Sequence, residues 1–181
     1  MIYNSVAEIL EAIEGTRSRI YERVEGLSDE QAKFRPSPEK WSVADLIEHL
    51  GMTEASLVVR ISHVISEIEA ATAQPGARFQ MKPFSLDELT ARARNEKFTA
   101  PERVRPRGRS VAESIGGLRR SREKLPALRP RIEALDLSEA RFPHPAFGPL
   151  NIYQWLAFIG LHEGRHLSQA EMVVSSPGFP S

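Results

Sequence analysis

Two histidines that lie four residues apart give the clearest sign of chemistry in this sequence. His162 and His166 would project from one face of a helix, about 6 Å apart along its axis. Their face also carries apolar and amide residues and is therefore expected to face the core: Trp155, Phe158, Ile159, Gln169 and Val173. A buried imidazole needs a partner, so the pair predicts a divalent metal such as zinc or nickel. The alternative is that each ring makes one hydrogen bond within the core.

His49 is the natural third ligand. It lies near the start of another predicted helix, on a mixed face with Asp45, Met52, Thr53, Ser56 and Arg60. Asp45 either orients the second ring nitrogen of His49 or only completes a capping box at the helix start. We favour the capping box.

The remaining two histidines fit the site less well. His63 lies 14 residues after His49, and that spacing corresponds to about 21 Å along a helix. His63 therefore cannot share an ion with His49. His144 lies between two prolines, and we expect it to be a solvated turn residue.

Residues 162–166 also match the H-E-x-x-H pattern of metalloproteases. We interpret this match as chance, because no strand is apparent that could bind a peptide and because Glu163 lies about 100° from His162 around the helix. Candidate catalytic helpers are Glu163, Arg60 and Gln169. Their alternative roles are a helix-surface charge, a surface ion pair, and a core amide or one that orients a ligand.

Composition restricts the other possibilities. The 181 residues are enough for one domain, 1–181, with an ordinary 41% of hydrophobic residues. The absence of cysteine excludes disulfides, thiolate metal sites and an internal thiol nucleophile. A net charge of zero argues against DNA or an anionic membrane as partner. Since no targeting or membrane-spanning segment is apparent, we expect a cytoplasmic protein.

One stretch departs from this balance of charge. Residues 103–131 carry ten Lys and Arg against two Glu, which leaves a net charge of plus eight. Nucleic-acid binding is one interpretation, and attraction of an anionic cofactor is another. We favour a solvated face with local ion pairs, because no interleaved aromatic residues or known motif support the first interpretation.

Four amphipathic helices are predicted to position the histidines. Each begins at a capping residue followed three positions later by a polar partner: Ser5 with Glu8, Ser42 with Asp45, Ser110 with Glu113, and Asn151 with Gln154. Pro126 and Pro130 should bend or break the third helix. A short helix is predicted from Ser85 to about Lys97, and the rest of 77–109 has weak periodicity. The predicted fold class is therefore all-α: a four-helix bundle with a long irregular connection between the second and third core helices.

Two motifs resemble those of the DinB-like superfamily, the damage-inducible and YfiT-type proteins. The first is the Lys-Trp-Ser-Val-Ala-Asp sequence at 40–45 that leads into His49. The second is Phe-Gly-Pro-Leu-Asn at 147–151, which leads into Trp155 and then into His162, His166 and Gln169. The order of the histidines, one early in the second helix and two in the last, matches that family.

The resemblance implies an up-down-down-up bundle that is often dimeric. It also implies a divalent metal, zinc or nickel, bound by His49, His162 and His166. Characterised members include S-transferases and isomerases that use low-molecular-weight thiols, and others are assigned as metal-dependent hydrolases. We therefore expect a homodimeric thiol S-transferase or hydrolase acting on small molecules, with any thiol supplied from outside. The alternative is a non-catalytic metal or small-molecule binding module.

Overall fold

The long helices begin at the residues that the capping patterns indicate. A computed structural model describes residues 1–71, 79–87, 90–91 and 99–181. Their helical elements include a 3-10 turn at Glu102–Val104 and these α-helices: α1 Val6–Val24, α2 Asp29–Lys33, α3 Val43–Ala71, α4 Val111–Ala127, α5 Arg129–Glu133 and α6 Ile152–Val174. The predicted all-α four-helix bundle is confirmed, with α1, α3, α4 and α6 as its core helices.

Side-chain caps explain these starts. Ser110 and Asn151 form reciprocal capping boxes with Glu113 and Gln154. Ser42 exchanges hydrogen bonds with Asp45 in the same way at the start of α3, so the favoured role of Asp45 is confirmed. The predicted break near Pro126 is also confirmed, since α4 ends at Ala127 and α5 begins at Arg129.

The first and last core helices run in the same direction. Arg17 of α1 pairs with Glu163 of α6, and further along both helices Arg23 pairs with Glu171. The two middle helices are likewise parallel to each other. Gly51 of α3 faces the backbone of Leu118 in α4, and three residues further along each helix Glu54 accepts a hydrogen bond from Ser121.

The middle helices run antiparallel to the outer ones. The early part of α3 brings His49 against His162 in the middle of α6. Eleven residues later, the Arg60 guanidinium lies 5.5 Å from the ring centroid of Phe142, which stacks on Trp155 in the first turn of α6. The bundle therefore has the up-down-down-up arrangement that the resemblance implies.

Two short strand pairs accompany the helices, although no strand was expected. Strands β1 Ile2–Tyr3 and β2 Phe84–Ser85 pair with each other, as do β3 Arg141–His144 and β4 Gly148–Asn151. The sequence signal of the second hairpin is weak because Pro143 and Pro149 face each other in it, and proline has no N–H to donate to the ladder.

The long connection between α3 and α4 is confirmed at 79–87 and 99–110. The predicted short helix at 85–97 falls largely outside the described residues. Of the residues described there, Ser85 belongs to β2, whereas Asp87, Thr90 and Ala91 are helical. None of the described helices has the length and apolar character needed to cross a membrane.

Candidate metal centre

Three histidines from two helices meet between α3 and α6. The Nε2 atom of His162 lies 3.2 Å from Nε2 of His49 and 3.1 Å from Nε2 of His166. Ring nitrogens of all three lie within 4.8 Å of one another, the spacing of a group that could hold a metal ion. The structure thus brings together the three residues that the sequence selects.

Two of the rings are oriented by oxygen acceptors. Nδ1 of His49 lies 2.7 Å from the carbonyl oxygen of Val104, and Nδ1 of His166 lies 2.7 Å from Oε1 of Gln169. Each Nδ1 must therefore carry the proton and donate it, which leaves Nε2 of both rings with a lone pair. Gln169 thus orients His166, one of the two alternative roles considered for it, and Val104, rather than Asp45, orients His49.

Burial keeps the histidines neutral. It lowers the pKa of His166 to about 3, with the charge of His49 adding to the effect. It also lowers the pKa of His162 well below its ordinary value, and that of His49 to a smaller extent. Neutral imidazoles are the form that binds metals, so no proton has to be displaced near pH 7.

Aromatic rings enclose the three imidazoles. The Trp41 centroid lies 4.9 Å from that of His49 and 6.1 Å from that of His166. On the other side, Phe158 stacks on His162 with centroids 5.7 Å apart. These contacts contribute to the burial of His49 and His166. Trp41 belongs to the 40–45 motif, but its contact with these imidazoles was not predicted from the sequence.

The connection before α4 is fastened beside the cluster by Glu48. Its Oε2 atom accepts hydrogen bonds from the backbone N–H groups of Arg107, Gly108 and Arg109, at 2.9, 3.0 and 3.1 Å. Gly108 has a φ of +82°, a conformation that favours glycine. Glu48 is adjacent to His49, and the segment it holds follows Val104. Neither Glu48 nor Val104 was identified from the sequence, since nothing in a sequence marks which backbone carbonyl will face a histidine.

Glu163 does not carry a helix-surface charge, and that interpretation is wrong. Its side chain is 2% exposed, and Oε1 accepts hydrogen bonds from Arg17 and Arg122. Both arginines also bind Glu54 of α3. The four side chains come from all four core helices and lie between two separate apolar clusters of the bundle. Burial raises the pKa of the Glu163 carboxyl, and the charges of Arg17 and Arg122 act against that rise.

Arg17, Glu54, Arg122 and Glu163 form an ionic layer across the bundle, and the pKa of Arg122 shows its electrostatics. Burial alone would lower its pKa, but the carboxylates of Glu163 and Glu54 outweigh that effect and raise it. The guanidinium therefore stays charged inside the bundle. The expectation that 103–131 is a solvated face is wrong for Arg122, whereas the expected local ion pairs are present at Arg119 with Glu25 and Arg131 with Glu69.

The remaining candidates lie outside the three-histidine group. Arg60 is exposed and lies over Phe142, and His63 is exposed beside Glu67. His144 is not a solvated turn residue. Its ring lies 4.6 Å from Phe147 and burial lowers its pKa to about 4. The prediction for His144 was wrong because the hairpin of β3 and β4 was not foreseen. That hairpin places the ring against Trp155 and Phe158 of α6.

Comparisons with known proteins show which family and which solved structures this chain is similar to. A family model described as the DinB superfamily matches residues 12–170. An uncharacterized protein of Bacillus subtilis (strain 168), YuaE, is 31% identical over 163 residues, which cover 87% of this chain and 91% of YuaE.

Two solved structures share the fold. The first, TT2238, is described as a four-helix bundle protein; its TM-score is 0.62 at 18% identity, over 92% of this chain and 98% of that one. The second, YfiT from Bacillus subtilis, is described as a probable metal-dependent hydrolase with an unusual four-helix bundle topology. Its TM-score is 0.63 at 14% identity, over 96% of this chain and 88% of YfiT.

Proposed function

We propose that this chain, which belongs to the DinB superfamily, is a metal-dependent enzyme acting on small molecules. His49, His162 and His166 would bind one divalent ion, zinc or nickel. The reaction would be either hydrolysis or thiol transfer. In the second case the thiol would come from outside, since the chain has no cysteine of its own. The description of YfiT as a probable metal-dependent hydrolase supports the first of these.

The convergence of the three Nε2 atoms carries this proposal. Nε2 of His49 and of His166 each hold a lone pair, because the Nδ1 protons of these rings are donated to Val104 and Gln169. His162 has at most one proton on Nε2, so it cannot donate to both neighbours at 3.1 and 3.2 Å at once. Lone pairs that face each other in a buried site repel, and a cation removes this conflict.

The three neutral imidazoles would hold a divalent ion that, when bound, would supply a positive charge and a position for a water or thiol, whose pKa it would lower. The chain itself supplies orientation and exclusion of solvent. Val104 and Gln169 fix two of the rings, and Trp41 and Phe158 cover them. Orientation of a metal-binding histidine through its second nitrogen typically contributes about 10- to 100-fold to metal affinity.

Elemental analysis of the full chain tests the metal site. The protein should be purified without a histidine tag and without chelators, because nickel resin would otherwise supply the ion. We expect about one zinc or nickel per chain, lost in His162→Ala and retained in His63→Ala, whose imidazole is exposed and distant from the cluster. A wild-type protein that holds no metal and takes up neither added ion would contradict the proposal.

A second experiment distinguishes the activities. The metal-loaded protein is incubated with activated esters in water, and separately with an aromatic chloro-electrophile and a low-molecular-weight thiol. Hydrolysis without the thiol identifies a hydrolase, and a conjugate formed only with the thiol identifies an S-transferase. Metal binding without either product would favour the non-catalytic binding module. Homodimer formation stays a prediction, and sedimentation equilibrium would test it.

A further inference from the structure

Thr53 has a buried hydroxyl for which the described residues offer no hydrogen-bond partner. It lies in α3, one helical turn after His49. A buried hydroxyl without a partner costs about 1–3 kcal/mol in mutational experiments, so such groups are few in folded proteins. Its position beside a candidate metal ligand suggests that its partner is a molecule that enters the site.

Two other helical threonines among the described residues are satisfied in the ordinary way. Thr16 donates its hydroxyl hydrogen to the carbonyl of Ala12 at 3.1 Å, and Thr90 donates to Leu86 at 2.9 Å. Both bonds reach back four residues, which is the common arrangement for a hydroxyl inside a helix. The equivalent acceptor for Thr53 is the carbonyl of His49, and that bond is absent. The hydroxyl of Thr53 therefore remains available.

Helix geometry places this hydroxyl on the side of the histidines. Residues four apart lie on the same face of a helix, with their Cβ atoms about 5–6 Å apart. The Cα–Cβ bond also tilts toward the helix N-terminus, so the side chain of Thr53 leans over the turn that carries His49. Nε2 of His49 is directed toward His162 across the gap between α3 and α6. The hydroxyl thus borders the space in which the three Nε2 atoms converge.

We propose that the Thr53 hydroxyl donates a hydrogen bond to the water or thiol that occupies the open position of the metal. Thr53 is thereby a positioning residue for the nucleophile, beyond the three histidines themselves. This inference rests on the metal site proposed above. A hydrogen bond donated to the ionised form of that water or thiol stabilises it relative to the neutral form, and so favours its ionisation.

The test uses the full chain loaded with cobalt(II), whose visible spectrum reports its ligands. Wild type, Thr53→Val and Thr53→Ser are each titrated with base, without added thiol, and the midpoint of the spectral change reports ionisation of the water in the open position. Thr53→Val keeps the shape of the side chain and removes only the hydroxyl. Thr16→Val is the matched control, since its hydroxyl is already bonded within α1.

We expect Thr53→Val to bind cobalt with the wild-type stoichiometry but with its midpoint raised by about one to two pH units, the loss of one charge-assisted hydrogen bond. Thr53→Ser should restore the midpoint, and Thr16→Val should leave it unchanged. The metal-free Thr53→Val protein should melt at or above the wild-type temperature, because it loses no internal partner.

Three results would overturn the inference while leaving the metal site intact. They are an unchanged midpoint in Thr53→Val, a wild-type cobalt spectrum that does not respond to pH, and a fall of about 3 °C or more in the melting temperature of metal-free Thr53→Val. The last result would show that the hydroxyl has a structural partner. If wild-type protein binds no cobalt, the proposed metal site fails and the inference fails with it.

Discussion

The Nδ1 atom of His49 donates to the carbonyl oxygen of Val104 at 2.7 Å, across 55 residues of sequence. Residue 48, immediately before this histidine, holds the same connection through three backbone N–H groups. Neighbouring residues of one helix therefore fasten the connection at two points. The orientation of His49 depends on this connection, and the connection depends on the carboxylate of Glu48.

Replacement of Glu48 by alanine should weaken metal binding. Without the carboxylate, the N–H groups of 107–109 lose their acceptor and the segment that carries Val104 is held less firmly. We expect the affinity for zinc to fall by about tenfold or more, the range found for groups that orient metal-binding histidines. Competition with a chromophoric chelator measures it. Glu102→Ala is the control, because its carboxylate is exposed and pairs only with Arg105 among the described residues. Equal affinity in wild type and Glu48→Ala would contradict this dependence.

Replacement of Glu163 by glutamine should strongly destabilise the bundle. The substitution keeps the size of the side chain but leaves Arg17 and Arg122 with Glu54 as their shared buried carboxylate. Breaking a buried ion pair from one side typically costs about 3–5 kcal/mol. Urea denaturation followed by circular dichroism would measure the loss in free energy of unfolding.

The exposed ion pair of Arg131 with Glu69 provides the control for that measurement. Glu69→Gln should cost less than about 1 kcal/mol, because solvent screens surface pairs. If Glu163→Gln and Glu69→Gln destabilise the protein to the same small extent, the ionic layer contributes no more than a surface contact.

The metal-free protein should lose stability as the pH falls below 6.5. Burial lowers the pKa of His166 to about 3 in the folded chain, and lowers that of His162 as well. An unfolded histidine titrates near pH 6.5, so below that pH the unfolded chain binds more protons than the folded chain. Each such histidine then lowers the free energy of unfolding by up to about 1.4 kcal/mol per pH unit. This loss continues until the pH reaches the lowered pKa. Urea titrations of the chelator-treated protein at pH 7.5 and pH 5 measure the difference.

Substitution identifies the groups responsible for that pH dependence. His166→Ala should lose less stability between the two pH values than wild type. An identical pH dependence in the two proteins would show that the folded imidazole of His166 titrates like that of an unfolded chain.

The sequence predicted best those features that depend on residues a few positions apart, such as helix starts and the side chains that share a helix face. Capping residues such as Ser110 and Asn151 begin helices through bonds that reach only three residues, so their spacing is visible in the sequence. The face shared by His162 and His166 follows from helical periodicity in the same way. His49 could be added because its helix and its position within that helix were already defined.

What the sequence did not reveal depends on contacts between distant elements. Glu163 resembles a surface residue in its own helix, and its burial follows only once Arg17 and Arg122 approach from two other helices. The carbonyl of Val104 has no side-chain signal at all. Proline at facing positions obscured the hairpin, and with it the burial of His144.

His144 supplies the last prediction. Its Nδ1 accepts hydrogen bonds from the backbone N–H groups of Ala146 and Phe147, at 3.1 and 3.3 Å, and so closes the turn between β3 and β4. Because the ring is half-buried and neutral, its proton must lie on Nε2. Asparagine can place an oxygen where Nδ1 lies, whereas alanine cannot. We therefore expect His144→Ala to be less stable than His144→Asn by about 1 kcal/mol in urea denaturation, the net value of a hydrogen bond to the turn. Both variants lose the imidazole ring that contacts Phe158, so only their difference reports the acceptor. Equal stability of the two variants would mean that the acceptor is not needed and that His144 contributes through ring contacts alone.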